Sequence, residues 1–284
     1  MIRIVIRMLT KCLLAIAVFL STVQANPTPP VAIKEVSAAS PVIIIGFVGG
    51  FVRHDDLIRS EVQLAARLRK EYAAQAVVET FENHGGEKAH QKILAVLDAN
   101  HDGTLSAAEK KNARIILYGH SWGGSELVTL ARRLEKEGIP VLLTVQVDSV
   151  AKNGQNDQII PANVAQAVNF YQADGILHGE SEIRAADTAR TRILGNFQFH
   201  YGAISYNCAN YPWYNRIFMK AHTQIECDPK VWNQVESLIR ANLSPTAPAT
   251  ADAAAQQTHG TQFLLTGKHS RSDLHHAEPL SFHA

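Results

Sequence analysis

Gly119-His120-Ser121-Trp122-Gly123 sets a serine between two glycines, each two positions away, and Gly124 adds a third small residue. Arg114-Ile115-Ile116-Leu117-Tyr118 immediately before it reads as a buried strand, and Ser125–Glu137 after it reads as a helix. A serine on a sharp strand-to-helix turn has its hydroxyl pushed clear of the sheet, and the glycines allow strand and helix to approach. A serine hydroxyl at its ordinary pKa is a weak nucleophile, so such a site needs a base and a group to orient it. Asp148 follows the run Val141–Val147 and is the first candidate for the orienting acid; Asp174 is the second. His222, in Lys220-Ala221-His222-Thr223, is the first candidate for the base, from a loop before the last helix; His178 competes with it. His120, beside the serine, is expected to point elsewhere. An oxyanion would need two backbone N–H donors. Trp122 is expected to supply one, and the turn Gly46–Phe51 the other, from Phe47 or Val48.

A second pattern lies upstream. Asp98-Ala99-Asn100-His101-Asp102-Gly103-Thr104-Leu105-Ser106-Ala107-Ala108-Glu109 fits D-x-[DN]-x-[DN]-G-x5-E at every position. Asp98, Asn100 and Asp102 offer side-chain oxygens, Gly103 permits the turn, Thr104 offers its carbonyl and Glu109 a bidentate carboxylate. Ser106 can hold a water, and Leu105 would tie the loop to the core. The loop resembles a single EF-hand-type calcium site. It enters the strand whose far end carries Ser121, about 17 Å away at ~3.3 Å per residue. Calcium is therefore expected to be structural and remote from the chemistry.

The elements that must hold these residues alternate. Pro41–Phe47 is a continuous apolar run ending in a Gly-rich turn. Asp55–Tyr72 carries Leu57, Ile58, Val62, Ala65, Leu68 and Tyr72 on one helical stripe. Ala76–Phe81 reads as a second strand, Glu87–Leu97 as a helix and Val141–Val147 as a fourth strand. Asn163–Tyr171 is expected to be helical, with Pro161 at its start, and Asp228-Pro229 to open a final helix. The stretch 172–215 has no clear period. This alternation predicts an α/β fold, a doubly wound and mostly parallel sheet flanked by helices.

Charge and composition narrow the function classes. The 284 residues carry 27 Lys and Arg against 26 Asp and Glu, and 46% are hydrophobic. That balance excludes a strongly basic nucleic-acid binder and an acidic disordered chain. Residues 1–25 have basic Arg3, Arg7 and Lys11, an apolar stretch Cys12–Val23, and small Val23 and Ala25 at the positions a signal peptidase reads. This predicts a cleaved signal peptide over 1–25, a secreted or periplasmic protein, and no stable membrane insertion afterwards. Cys208 and Cys227 then remain, and an oxidising compartment predicts a disulfide between them worth roughly 3 kcal/mol in the chain-entropy model. Residues 26–40 read as a linker and 244–284 as a disordered tail with His259, His269, His275, His276 and His283. The folded domain is expected at 41–243.

The elbow Gly119–Gly123 in its strand–turn–helix setting, over about 41–243, resembles the α/β-hydrolase superfamily. The position of Asp148 is similar to that in pancreatic-type lipases. The resemblance implies hydrolysis of a small-molecule or lipid ester, or a thioester, through an acyl-serine. It also implies Ser121 as nucleophile, His222 as general base then acid, and Asp148 as orienter. An acyltransferase with the same triad, a non-catalytic calcium-dependent binding module and a protease are the alternatives. The oligomeric state is not legible in the sequence.

Overall fold

The computed structural model describes residues 41–202 and 208–243. The expected signal peptide, linker and tail lie outside the described residues. The chain begins with β1 (Val42–Val48), α1 (Ser60–Glu71), β2 (Ala76–Glu82), α2 (Gly86–Leu97) and the short α3 (Ala107–Lys111). It continues through β3 (Ile115–His120), α4 (Trp122–Lys136), β4 (Val141–Val147), β5 (Ile159–Ile160) and β6 (Val164–Gln172). It ends with β7 (Arg184–Ala185), β8 (Arg192–Phe199), α5 (Trp213–Phe218), α6 (Lys220–Cys227) and α7 (Pro229–Leu243).

Six strands form one sheet in the order β2-β1-β3-β4-β6-β8, and every neighbouring pair is parallel. β5 and β7 form a separate two-residue ladder. Strands covered on both faces need apolar residues on both sides of the pleat, and all seven residues of β1 are buried. Alternate residues divide between two cores. Ile44, Ile116 and Val145 pack with Leu64 and Leu68 of α1, Ile225 of α6, and Trp232 and Ile239 of α7. Ile43, Ile45, Ile115 and Leu117 pack with Ile93 of α2 and Leu127 and Leu134 of α4 on the other face. Each such side chain, fully buried, contributes roughly 1.5–3 kcal/mol. The fold is thus a doubly wound parallel α/β sheet flanked by helices.

Four expectations need correction. Asn163–Tyr171 is strand β6, held between β4 and β8, where pairing on both edges overrides the helical propensity of its alanines and glutamine. α1 starts at Ser60 and not Asp55, because the Asp56 carboxylate accepts from the Ile58 amide and holds a turn. Leu57 and Ile58, expected on its buried stripe, are therefore exposed. The helix after the serine begins at Trp122, three residues earlier than predicted. His222 lies on α6 and not in a loop.

Candidate active site

β3 and α4 meet at Ser121, whose φ of 55° and ψ of −126° lie where non-glycine residues are strained. The turn closes because nothing larger than hydrogen stands at Gly123. A Cβ there would meet the Phe47 carbonyl oxygen at 2.3 Å. The Ser121 amide donates to the Val147 carbonyl at 3.0 Å, which ties the turn to the end of β4. One residue further along β4, Asp148 also has a positive φ, 44°, and donates its amide to Phe170 of β6 at 2.7 Å. Three adjacent parallel strands thus deliver their carboxyl ends to one place, as open α/β sheets do.

His222 is brought in from the far end of the sequence. Its Nε2 lies 2.9 Å from Ser121 Oγ, and its Nδ1 lies 2.7 Å from Asp148 Oδ2. The three side chains are buried. Asp148 is further ringed by donors. Gly179 N–H reaches Oδ1 at 2.7 Å, Gln172 N–H reaches Oδ1 at 3.3 Å, and Gln172 Nε2 reaches Oδ2 at 2.9 Å. A carboxylate can only accept, so a shell made wholly of donors suits it. Gln172 is itself anchored, donating to the Leu177 carbonyl and accepting from the Asp174 and Gly175 amides. Gly179 is glycine for a steric reason, since a Cβ would lie 2.4 Å from the Asp148 carbonyl carbon. Such a chain can pass the serine proton to an imidazole whose far nitrogen is held by an anion.

The competitors are elsewhere. Asp174 accepts from the Tyr201 amide and faces His200 at 3.5 Å. His178 Nδ1 pairs with the Gly179 carbonyl at 3.0 Å. His120 does turn away from the serine hydroxyl, but it is not idle. Its ring packs against that of His222, centroids 4.5 Å apart, and faces Glu226 at 3.5 Å and Glu61 at 3.9 Å. Burial, then His222, pushes His120 well below its usual pKa. Burial, then Glu226, pushes Glu61 well above the usual carboxylate range, with the Gly49 amide a smaller opposing influence. Burial also raises Glu226, against the pull of Arg59. Arg59 Nη1 donates to both Glu226 oxygens at 3.1 and 3.2 Å, and its guanidinium lies 4.7 Å from the Tyr211 ring centroid.

Above Ser121 is a pocket of about 310 Å³. Gly49, Gly50, Phe51, Trp122, Tyr214 and Met219 are among its lining residues, and Leu177, Arg59 and Glu226 also reach it. Phe51 stands exposed and edge-on to Trp122 at 5.3 Å. Trp122 is the first residue of α4, and Phe47 and Val48 lie on β1. β1 runs through Val48, both residues are buried with their carbonyls against Gly123, and the turn that faces the pocket starts at Gly49.

Cys208 and Cys227 are disulfide-bonded with Cα atoms 6.0 Å apart, joining the segment before α5 to the end of the helix carrying His222. The Asp98–Glu109 loop sits at the other end of β3 from Ser121. Gly103 has φ +82°, and Leu105 packs on the α2–α4 core as expected. The loop's acceptors turn inward. Asp98 accepts from the Asp102 and Gly103 amides, Asn100 from Asp102, and Asp102 from Thr104. Glu109 caps α3 through Ser106 and reaches back to the Ala99 amide at 3.0 Å. These donors match what calcium takes, but their oxygens are spent on the loop's own amides. Among the described residues, the acidic or histidine trio whose ligand atoms all lie within 4.8 Å of one another is Glu61, His120 and Glu226.

Sequence reasoning missed Gln172, Gly179, Arg59, Glu61 and Glu226. Among these, the one local signal is a glycine at 179, next to the candidate His178.

No family model and no curated protein matches the chain. Among solved structures it is similar to a protein of Agrobacterium vitis S4 described as a hydrolase, at 12% identity and a TM-score of 0.40, over 73% of this chain and 90% of that one. It is also similar to a cutinase-like protein from Cryptococcus sp., at 11% identity and a TM-score of 0.37, over 74% and 98% of the two chains. Est1E from Butyrivibrio proteoclasticus is similar at 12% identity and a TM-score of 0.34, over 74% and 91%.

Proposed function

We propose that this protein is an exported serine hydrolase of the α/β-hydrolase type, cleaving a carboxylic ester or thioester through an acyl-serine. The observation that carries the reading is the hydrogen-bonded chain Ser121 Oγ–His222–Asp148 beneath an open pocket. In this reading His222 Nε2 takes the hydroxyl proton as Ser121 Oγ attacks the carbonyl carbon. The Trp122 amide and an amide of the Gly50–Phe51 turn receive the oxyanion. The tetrahedral intermediate collapses, and His222 returns the proton to the departing alcohol or thiol. Water, deprotonated by His222, then attacks the acyl-serine and releases the acid. Phe51, Leu177, Tyr214 and Met219 favour an apolar acyl or leaving group.

A fluorophosphonate probe tests the reading. Labelling of the wild type that disappears in Ser121→Ala is the expected result. A folded wild type that takes no label would leave the site as architecture only.

The Asp98–Glu109 loop is proposed to bind one structural calcium, held by the side chains of Asp98, Asn100, Asp102 and Glu109 and the Thr104 carbonyl. Support comes from the complete spacing and from Gly103 at φ +82° in the turn. When bound, the ion would brace the joint between α2, α3 and β3, remote from Ser121. Export is supported by the Cys208–Cys227 bond, which persists in oxidising compartments.

A further inference from the structure

Beside the serine, histidine and aspartate lies a second buried trio that the proposed hydrolysis does not use. Glu61 is on α1, His120 ends β3 and Glu226 is on α6; they are 0, 3 and 4% exposed. His120 Nδ1 is 3.5 Å from Glu226 Oε2 and 3.9 Å from Glu61 Oε1. The Glu61 carboxylate is faced by the Glu61 and Gly49 amides and the His120 ring by the His222 backbone, but neither Glu61 oxygen and neither His120 ring nitrogen is in a hydrogen bond of ordinary geometry. Buried polar atoms almost always have a partner, so four together in one trio point to a missing one.

The charges point the same way. Arg59 is the cation beside both carboxylates; it binds Glu226 with a single nitrogen and also faces Asp56 at 3.5 Å. The other groups packed around the trio are His222, Tyr211 and Tyr118. The Tyr118 hydroxyl is spent on the Glu61 backbone carbonyl at 2.9 Å. Two buried carboxylates therefore share one cation, a state that draws in either a proton or a second positive charge.

We propose that Glu61, His120 and Glu226 bind one divalent transition-metal ion of the zinc class. Two carboxylate oxygens and one imidazole nitrogen suit such an ion. Ligand atoms about 2.1 Å from a tetrahedral centre lie about 3.4 Å apart; here two pairs lie at 3.5 and 3.9 Å and all three ligand atoms within 4.8 Å, so the ion would draw the trio together. Calcium, which takes six or more oxygens, is poorly served by this donor set. His120 and Glu226 line the pocket, which provides an entry path and space for water ligands. The ion would join α1, the end of β3 and α6. It would thereby brace Ser121, the next residue after His120, against His222, one turn before Glu226 on the same helix. None of this depends on Ser121 being a nucleophile.

The test uses the full chain, stripped with chelator and titrated with Co²⁺ and then Zn²⁺. One equivalent of Co²⁺ with visible absorption bands, displaced by one equivalent of Zn²⁺, is expected in the wild type. Glu61→Gln keeps the shape, removes one ligand and is expected to weaken that binding at least tenfold. Metal held by the tail histidines survives this substitution and counts against the site. Should Glu61→Gln fail to fold, zinc-edge anomalous diffraction from wild-type crystals decides. A peak bounded by Glu61, His120 and Glu226 supports the proposal, and a peak only elsewhere or none overturns it. Binding unchanged in folded Glu61→Gln, or no bound equivalent in the wild type, overturns it equally. Fluorophosphonate labelling of the same samples reports on Ser121 separately, so the two readings fail independently.

Discussion

Ser121–His222–Asp148 and Glu61–His120–Glu226 occupy the same sheet edge, with their histidine rings 4.5 Å apart, and both are buried. They differ in completeness. Asp148 has four N–H donors, counting His222. The Glu61 carboxylate is faced by the Glu61 and Gly49 amides, neither in a hydrogen bond of ordinary geometry. Both trios are buried, but in the second a single cation, Arg59, stands beside two carboxylates. The difference separates a trio whose polar atoms are met by one another and by neighbouring N–H groups from one whose polar atoms are not.

The sharpest way to break the comparison is to unbalance the complete trio. Asp148→Asn should lower kcat by about 10⁴-fold while the fold persists, because the imidazole loses its anchoring acceptor. Steady-state hydrolysis of a p-nitrophenyl ester together with circular dichroism checks this, and unchanged turnover would remove Asp148 from its role.

Gln172 is a positioning residue. Gln172→Met removes its amide while keeping its length, and should lower kcat about 10- to 100-fold with KM little changed, on the order of one hydrogen bond to a charged group. A loss confined to KM, or a loss of thermal stability alone, would mean that Gln172 only packs.

The incomplete trio predicts a pH effect of defined sign. Burial raises Glu61 in the folded state, so its contribution is fully present below the unfolded pKa of about 4.3 and fades as pH rises toward the folded value. Glu226 acts in the same direction. In chelator-treated protein, the urea midpoint of the wild type should therefore fall from pH 5 to pH 8 relative to Glu61→Gln. Saturating zinc should abolish that fall, because the cation takes over from the proton. Parallel curves with and without zinc would contradict the idea that the trio lacks a partner. Glu82 works oppositely. Burial raises it, but the His54 ring and backbone amides outweigh this and hold it at about 2, so its contribution is lost only as pH falls from about 4.3 toward 2.

The smallest effect belongs to the exposed carboxylates of the Asp98–Glu109 loop. At millimolar calcium, chelation should lower the melting temperature by roughly 2–6 °C and leave ester hydrolysis at low temperature unchanged. Glu109→Gln should erase that calcium-dependent shift in a thermal melt. Equal melting with and without calcium would withdraw the ion.

The comparison also marks how far the sequence could be read. Ser121 was legible because strand, tight turn and helix are set by residues adjacent in the chain. Asp148 was legible because it ends a recognisable apolar strand. His222 was found by its place near the last helix, although it rides on α6. Glu61 was not found, since a glutamate in the first turn of a helix reads as an ordinary favourable partner for the helix dipole. Gln172 and Gly179 were missed because β6 was taken for a helix and the stretch after it had no period. That β1 runs on through Val48 was not legible, because its length depends on its ladder with β2 and β3.

The chain alone determined the alternation of elements, the strained serine turn and the calcium-type spacing, since each rests on neighbours within about a dozen residues. Only the tertiary structure decided which acid faces which imidazole, which strand wins between two edges, and that residues 61, 120 and 226 meet in one buried space. Those outcomes depend on burial and on contacts between segments distant in sequence, which local propensity does not encode.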